Sequence, residues 1–242
     1  SPTWNNLNAN NTIIGKYFKD EKTAYRAIVR IGFNSNTTRA QIADASVTTA
    51  PTYPTVPAMK EDKWKSSNNF VGLGAGYEMR RGKTRLQGFY GADAMIWMSS
   101  NKDVFTYGNS LVAGGSAPVG VGSSTDFGAT ANNLTGVKDT YGNAARVTTR
   151  KSGTSIGFGV RAFIGAEYFI FPKISIGGEF GWGLGLLTGG KSSTTTESIG
   201  GTGPSVGTQT ITGSKSPGYF ILDTDKNAFG TANAQLRLNL HF

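Results

Sequence analysis

The sequence contains no cysteine and only one histidine, His241, among its 242 residues. The first absence excludes a disulfide framework and any thiolate metal site. The second leaves little for chemistry that relies on an imidazole base. No long uninterrupted apolar run occurs, which excludes a transmembrane helix. There is no acidic calcium-loop pattern, so neither metal nor cofactor is expected. No signal peptide is visible, and a chain opening on Ser1 suggests a processed or incomplete N-terminus. Acidic residues are few, 15 against 24 basic, for a net charge of +9. Such a balance suits nucleic acid, anionic lipid or lipopolysaccharide. Nucleic acid would require the Lys and Arg residues to gather on one face or helix. Here they are spread along the chain, mostly at segment ends, so no nucleic-acid partner is expected.

What is abundant is glycine, at 34 residues, together with a period of two. Val71, Leu73, Ala75, Tyr77 and Met79 share one face, and Gly72, Gly74, Gly76, Glu78 and Arg80 the other. A helix would need apolar residues at three- and four-residue spacing. After the polar turn Arg81-Gly82-Lys83, Leu86, Tyr90, Ala92, Ala94, Ile96 and Met98 alternate with Arg85, Gln87, Phe89, Asp93 and Trp97. The same alternation runs through 25–33, 156–170 and 174–186, and through the final 232–242 segment. A weaker strand is predicted over about 11–19. Short turns near 19–22, 80–84 and 171–173 contrast with long stretches at 39–64, 99–149 and 189–229. Three such long loops are rare in a soluble domain. In an outer-membrane barrel, short turns face the periplasm and long loops face outside.

One face carries Arg26, Arg30, Glu78, Arg85, Asp93, Arg161, Glu167, Glu179 and Arg237 among many glycines. Unpaired charge is too costly to bury in an apolar core. Mixed-sign pairs could instead fill a narrow polar lumen, with the glycines leaving room for long side chains. Tyr77, Tyr90, Tyr168, Trp182 and Phe242 lie on the apolar face, several near strand ends, as the aromatic girdles of membrane barrels do. The expected fold is therefore all-β: one domain over 1–242, a closed antiparallel transmembrane barrel with an apolar exterior.

The alternating ending Leu236-Leu238-Leu240-Phe242 resembles the C-terminal assembly signal of outer-membrane barrels, which usually close on an aromatic residue. The whole chain resembles the small OmpX/OmpA-type barrels, and its Gly- and Asn-rich style is similar to examples from the Bacteroidota. That resemblance implies location in the bacterial outer membrane and contact with its lipid, its lipopolysaccharide and its assembly machinery. It implies little about activity, because one fold hosts many functions.

Seven strands are readable, and a closed bacterial barrel has an even number. About eight strands are expected, with one missing upstream of Ser1 or supplied by residues 1–10 or by a long loop. A barrel of that size is filled by its own side chains or holds one small ligand.

The resemblance also implies that barrel enzymes use a histidine near Ser, Asp or Glu. His241 sits at the opposite end from the outer rim where such enzymes mostly act. Glu78, Asp93, Glu167 and Glu179 could form an acid/base pair, but each has an arginine within plausible reach, so salt-bridge filling is the expectation. Gly157-Phe158-Gly159-Val160-Arg161-Ala162 mimics a dinucleotide fingerprint but opens no helix. Lys63, Lys65, Lys102, Arg146, Arg150, Lys151 and Lys191 fall where strands should emerge outside, level with lipopolysaccharide phosphates, to which Lys and Arg bind well. The expected function is non-enzymatic: a plugged barrel that presents its loops to a partner or a neighbouring membrane complex. The alternatives are a small channel or transporter, or a lipid-modifying barrel enzyme.

Overall fold

The structure is a computed structural model that describes residues 13–47, 49, 51–82, 84–111, 127, 137–199, 205–223 and 235–240, with the backbone alone given at 223 and 235–240. Its described elements are all strands: β1 (Ile13–Asp20), β2 (Thr23–Ala43), β3 (Met59–Arg81), β4 (Leu86–Thr106), β5 (Val137–Lys138), β6 (Ala144–Lys151), β7 (Ser155–Phe171), β8 (Ile174–Thr188), β9 (Lys191–Ile199), β10 (Val206–Lys215), β11 (Tyr219–Asp223) and β12 (Gln235–Leu240). Every pairing is antiparallel. The short turns fall together at one end, tied by Arg80 N–H to Lys22 C=O (2.7 Å) and Phe169 N–H to Arg85 C=O (2.8 Å).

β4 is the branch point. Near its turn end it pairs with β7, and further along it pairs with β6. One arm of the sheet therefore runs β1-β2-β3-β4-β7-β8 and ends on β11 and β12, both against β8. The other arm runs β4-β6-β9-β10 beyond it. The expected loops at 39–64, 99–149 and 189–229 are thus in large part strands. β2, β3 and β4 reach 21, 23 and 21 residues. The reason lies in runs such as Lys191–Ile199 and Val206–Lys215, rich in β-branched threonine, which favours a pleated surface even without apolar alternation. The expectation of about eight strands is also corrected. Among the described residues there are eleven strands of five or more residues besides the two-residue β5. Nor is the described sheet closed: β1 pairs only with β2, and no pairing joins it to β12.

The sheet is nonetheless strongly rolled. Three strands separate β2 from β8, a span of roughly 19 Å on a flat sheet. Yet the Arg26 guanidinium of β2 lies 3.2 Å from the Glu179 carboxylate of β8. Only a curled sheet brings those side chains together, and their face is the concave one. The convex face carries the predicted apolar alternation, and it is exposed: Leu73, Tyr77, Tyr90, Ile96, Phe158, Ile164, Trp182 and Leu186 are each at least 37% accessible. Tyr17, Tyr25 and Tyr77 stand directly opposite one another across β1, β2 and β3 on this face. Trp182, read from sequence with the girdle aromatics, lies instead in mid-strand opposite Ala162.

Candidate functional site

The concave face gathers its charges because period-two strands put every second side chain there, and the register then lines them up. Lys16, Arg26, Gly76, Asp93, Arg161 and Gly183 follow one another across β1, β2, β3, β4, β7 and β8. The glycines are the gaps into which neighbours lean. A Cβ at Gly76 would collide with the Asp93 carboxylate, and one at Gly181 would stand 2.5 Å from Arg161 Nε.

Among the described residues, four cations and four anions form one network. Glu78 pairs ionically with Lys16 at 2.8 Å, Arg80 at 3.2 Å and Arg26 at 3.7 Å. Glu179 accepts Arg161 at 2.6 Å and Arg26 at 3.2 Å. Asp93 lies 3.4 Å from each of the same two arginines. Arg80 also pairs with Glu167, to which the Ser175 hydroxyl donates at 3.3 Å. The side chains of Arg26, Glu78, Asp93, Glu167 and Glu179 have no solvent exposure. Arg26 also stacks 3.9 Å over the Phe163 ring. The described members match four cations with four anions, and such pairing is how buried charge is tolerated. Each of the four carboxylates has a cation within 4 Å, an arrangement suited to filling space.

Beside the charges, Ile28, Met95 and Trp97 pack together with Ile14, Phe70 and Leu187 against them. Trp97 stands opposite Gly157, and a Cβ there would overlap the indole ring. Gly157→Val should therefore cost about 1–3 kcal/mol through overpacking. Gly178→Ala, with nothing within 4 Å of the new methyl, should be close to neutral. Urea unfolding of the two variants tests this, and equal effects would contradict the packing assignment.

Of the nine charged residues expected here, Arg26, Glu78, Asp93, Arg161, Glu167 and Glu179 come together. Arg30 lies further along β2, its guanidinium 4.3 Å over the Phe70 ring. Arg85 is a correction: it sits exposed in the turn before β4, because the strand begins only at Leu86. Arg237 lies on β12 opposite Gly177, and its side chain is outside the described residues. Lys16 and Arg80 were missed as members. Arg80 shares the parity of Glu78 and so was legible, whereas Lys16 is fixed only by its register with Arg26.

Where β4 pairs with β6 a second small core forms, in which Phe105 and Val147 pack with Trp64, Tyr107, Phe127 and Val137. Arg146, expected as a lipopolysaccharide contact, is buried in it: its Nε donates to Glu197 at 2.5 Å and its guanidinium lies 4.2 Å over Tyr107. Burial pushes the Tyr107 phenol up, and its hydroxyl donates to the Val147 carbonyl. Asp139 closes the turn before β6. Hydrogen bonds from the Asn143 side chain, then the Ser198 hydroxyl and the Asn143 and Tyr141 N–H groups, hold its carboxyl down at about 2. Lys63, Lys65, Lys102 and Lys151 are exposed, while Arg150 stands opposite Asp103. Leu236, Leu238 and Leu240 pair through their backbones with Gly178, Ile176 and Ile174. Phe242 and His241 lie outside the described residues. Among the described residues no three His, Asp or Glu side chains gather as a metal site.

Comparison with known proteins gives no match to a family model, a curated protein or a solved structure.

Proposed function

We propose that this chain is an outer-membrane β-barrel of the small OmpX/OmpA type, with a plugged lumen and a structural or interaction role rather than a catalytic one. The observation that carries the reading is the inverted distribution of side chains. A neutral ion network with fully buried carboxylates occupies the concave face, while Leu, Ile, Phe, Tyr and Trp stand exposed on the convex one. In water this arrangement exposes the surface that should be buried. In a bilayer it is the stable one, because the apolar face meets lipid and the ions are screened from it. The lengths agree. The exposed apolar alternation covers Val71–Met79 on β3 and Leu86–Met98 on β4, close to the roughly 9–11 residues that cross hydrocarbon as a tilted strand. The tyrosines Tyr17, Tyr25 and Tyr77, near the turn end of their strands, suit a membrane interface.

In this reading the sheet edge at β1 is sealed in the membrane, since open edges cannot persist in hydrocarbon. The short turns face the periplasm. The β6-β9-β10 arm projects outside, where it is offered to a partner or a neighbouring complex.

The test is reconstitution. The full chain, diluted from urea into phosphatidylcholine vesicles, should float with the lipid and give a β-type circular dichroism spectrum. In planar bilayers it should show no sustained conductance. A chain that stays in the aqueous phase overturns the membrane assignment. Steady ion-selective steps overturn the plugged lumen.

A further inference from the structure

Five lysines far apart in sequence form one row across five strands. Lys65 of β3 lies opposite Val104, and Ser67 lies opposite Lys102 of β4, so Lys65 and Lys102 are diagonal neighbours. Lys102 stands directly opposite Lys151 of β6. Lys151 faces Ser193 of β9, two residues from Lys191, which makes a second diagonal. Lys191 stands directly opposite Lys215 of β10. All five are exposed. Direct neighbours of this kind have Cβ atoms roughly 4.5–5.5 Å apart and diagonal ones roughly 7–8 Å.

Like charges placed directly opposite each other destabilise a sheet, and this row contains two such pairs. None of its lysines has a carboxylate partner among the described residues, although other cations on β2, β3 and β6 do. Glu61 neutralises Arg39 (3.3 Å) and Lys63 (3.1 Å), Asp44 neutralises Lys60 (2.9 Å), and Glu197 neutralises Arg146 (2.5 Å). The row also lies just past the apolar surface. On β4 only Ser100 separates Lys102 from the exposed Met98 on the same face.

We propose that this lysine row binds the phosphorylated headgroups of outer-leaflet lipids, with single phosphates bridging adjacent lysines. The inference rests on the membrane reading above. Charge complementarity carries it: an anion between Lys102 and Lys151, or between Lys191 and Lys215, turns a repulsive pair into a clamp. A phosphate offers several strong acceptors to such paired ammonium groups. Its place at the border of the apolar band is where a lipid headgroup stands. The sequence alone pointed to Lys63, Lys65, Lys102, Arg146, Arg150, Lys151 and Lys191 as one basic cluster, of which Lys65, Lys102, Lys151 and Lys191 belong to the row. The register joins them, adds Lys215 and removes Arg146.

The experiment uses the full chain in phosphatidylcholine nanodiscs doped with bisphosphorylated or dephosphorylated lipid A. The parent should bind the bisphosphorylated lipid and unfold at a higher temperature with it, an effect that fades with salt. The triple variant Lys102→Gln/Lys151→Gln/Lys191→Gln should bind it roughly hundredfold more weakly, the expected loss for three lysines at an anionic surface. Lys63→Gln should change binding by less than about twofold, as for an exposed paired charge. In undoped discs the triple variant should be at least as thermostable as the parent, because the repulsion is gone. Unchanged binding by the triple variant, equal binding of the dephosphorylated lipid, displacement by inorganic phosphate, or an equal loss in Lys63→Gln would each overturn the proposal. A chain that enters undoped discs but shows no phosphate preference refutes the lysine row alone. A chain that enters no disc refutes the membrane reading and the row with it.

Discussion

Arg26→Met should destabilise the folded chain by about 3–5 kcal/mol, the usual cost of removing one partner from a buried ion cluster. Among the described residues, Arg26 is the one cation shown within 4 Å of three carboxylates, Glu78, Asp93 and Glu179. Its loss changes the balance from four against four to three against four. Glu78 retains Lys16 and Arg80, and Asp93 and Glu179 both retain Arg161. The aromatic face of Phe163 loses its closer guanidinium as well. Because the damage is excess negative charge, the second change Glu179→Gln should restore part of the loss. Urea unfolding of the reconstituted single and double variants measures both. A single variant within about 1 kcal/mol of the parent would mean that water or ions reach these carboxylates freely.

Leu184→Arg should cost about 2–4 kcal/mol in vesicles, the range for a basic side chain near the bilayer midplane. Leu184 stands on β8 opposite Val160, within the apolar alternation and 41% exposed. On a water-exposed surface the same change should fall within about 0.5 kcal/mol of neutral. The variant therefore distinguishes lipid from water at the convex face. Ala162→Arg, two residues along β7 from Val160, should behave like it. Ser100→Arg, past the apolar band on β4, should cost little. Equal costs for Leu184→Arg and Ser100→Arg would remove the case for lipid at that face.

The two variants draw on different levels of information. That Leu184 and Arg26 belong to opposite faces follows from sequence parity, which is why the alternation in 71–79, 86–98, 156–170 and 174–186 was legible without coordinates. The short turns were legible too, because Gly82 and Pro172 interrupt apolar runs that resume at once. Arg85 was misplaced because parity says nothing about where a strand starts. The threonine-rich strands β9 and β10 were read as loops because their surroundings are polar on both faces, so no alternation marks them.

What the sequence by itself determined is thus the all-β class, the two faces and the ends that turn sharply, all properties set by neighbours one or two residues away. What only the tertiary structure decided is which residues meet: Lys16 with Glu78, Arg26 with Glu179, Lys102 with Lys151, and Arg146 with Glu197 rather than with a lipid. It also decided that β4 changes partner from β7 to β6, which makes the second arm. The physical reason is register. A period of two fixes the side a residue faces, but a slip of two residues along the partner strand preserves every face while exchanging every partner. Only the packing of the whole rolled sheet, with glycines opposite large inward side chains such as Met95, Trp97 and Phe163 and cations beside Glu78, Asp93, Glu167 and Glu179, selects one register from that set.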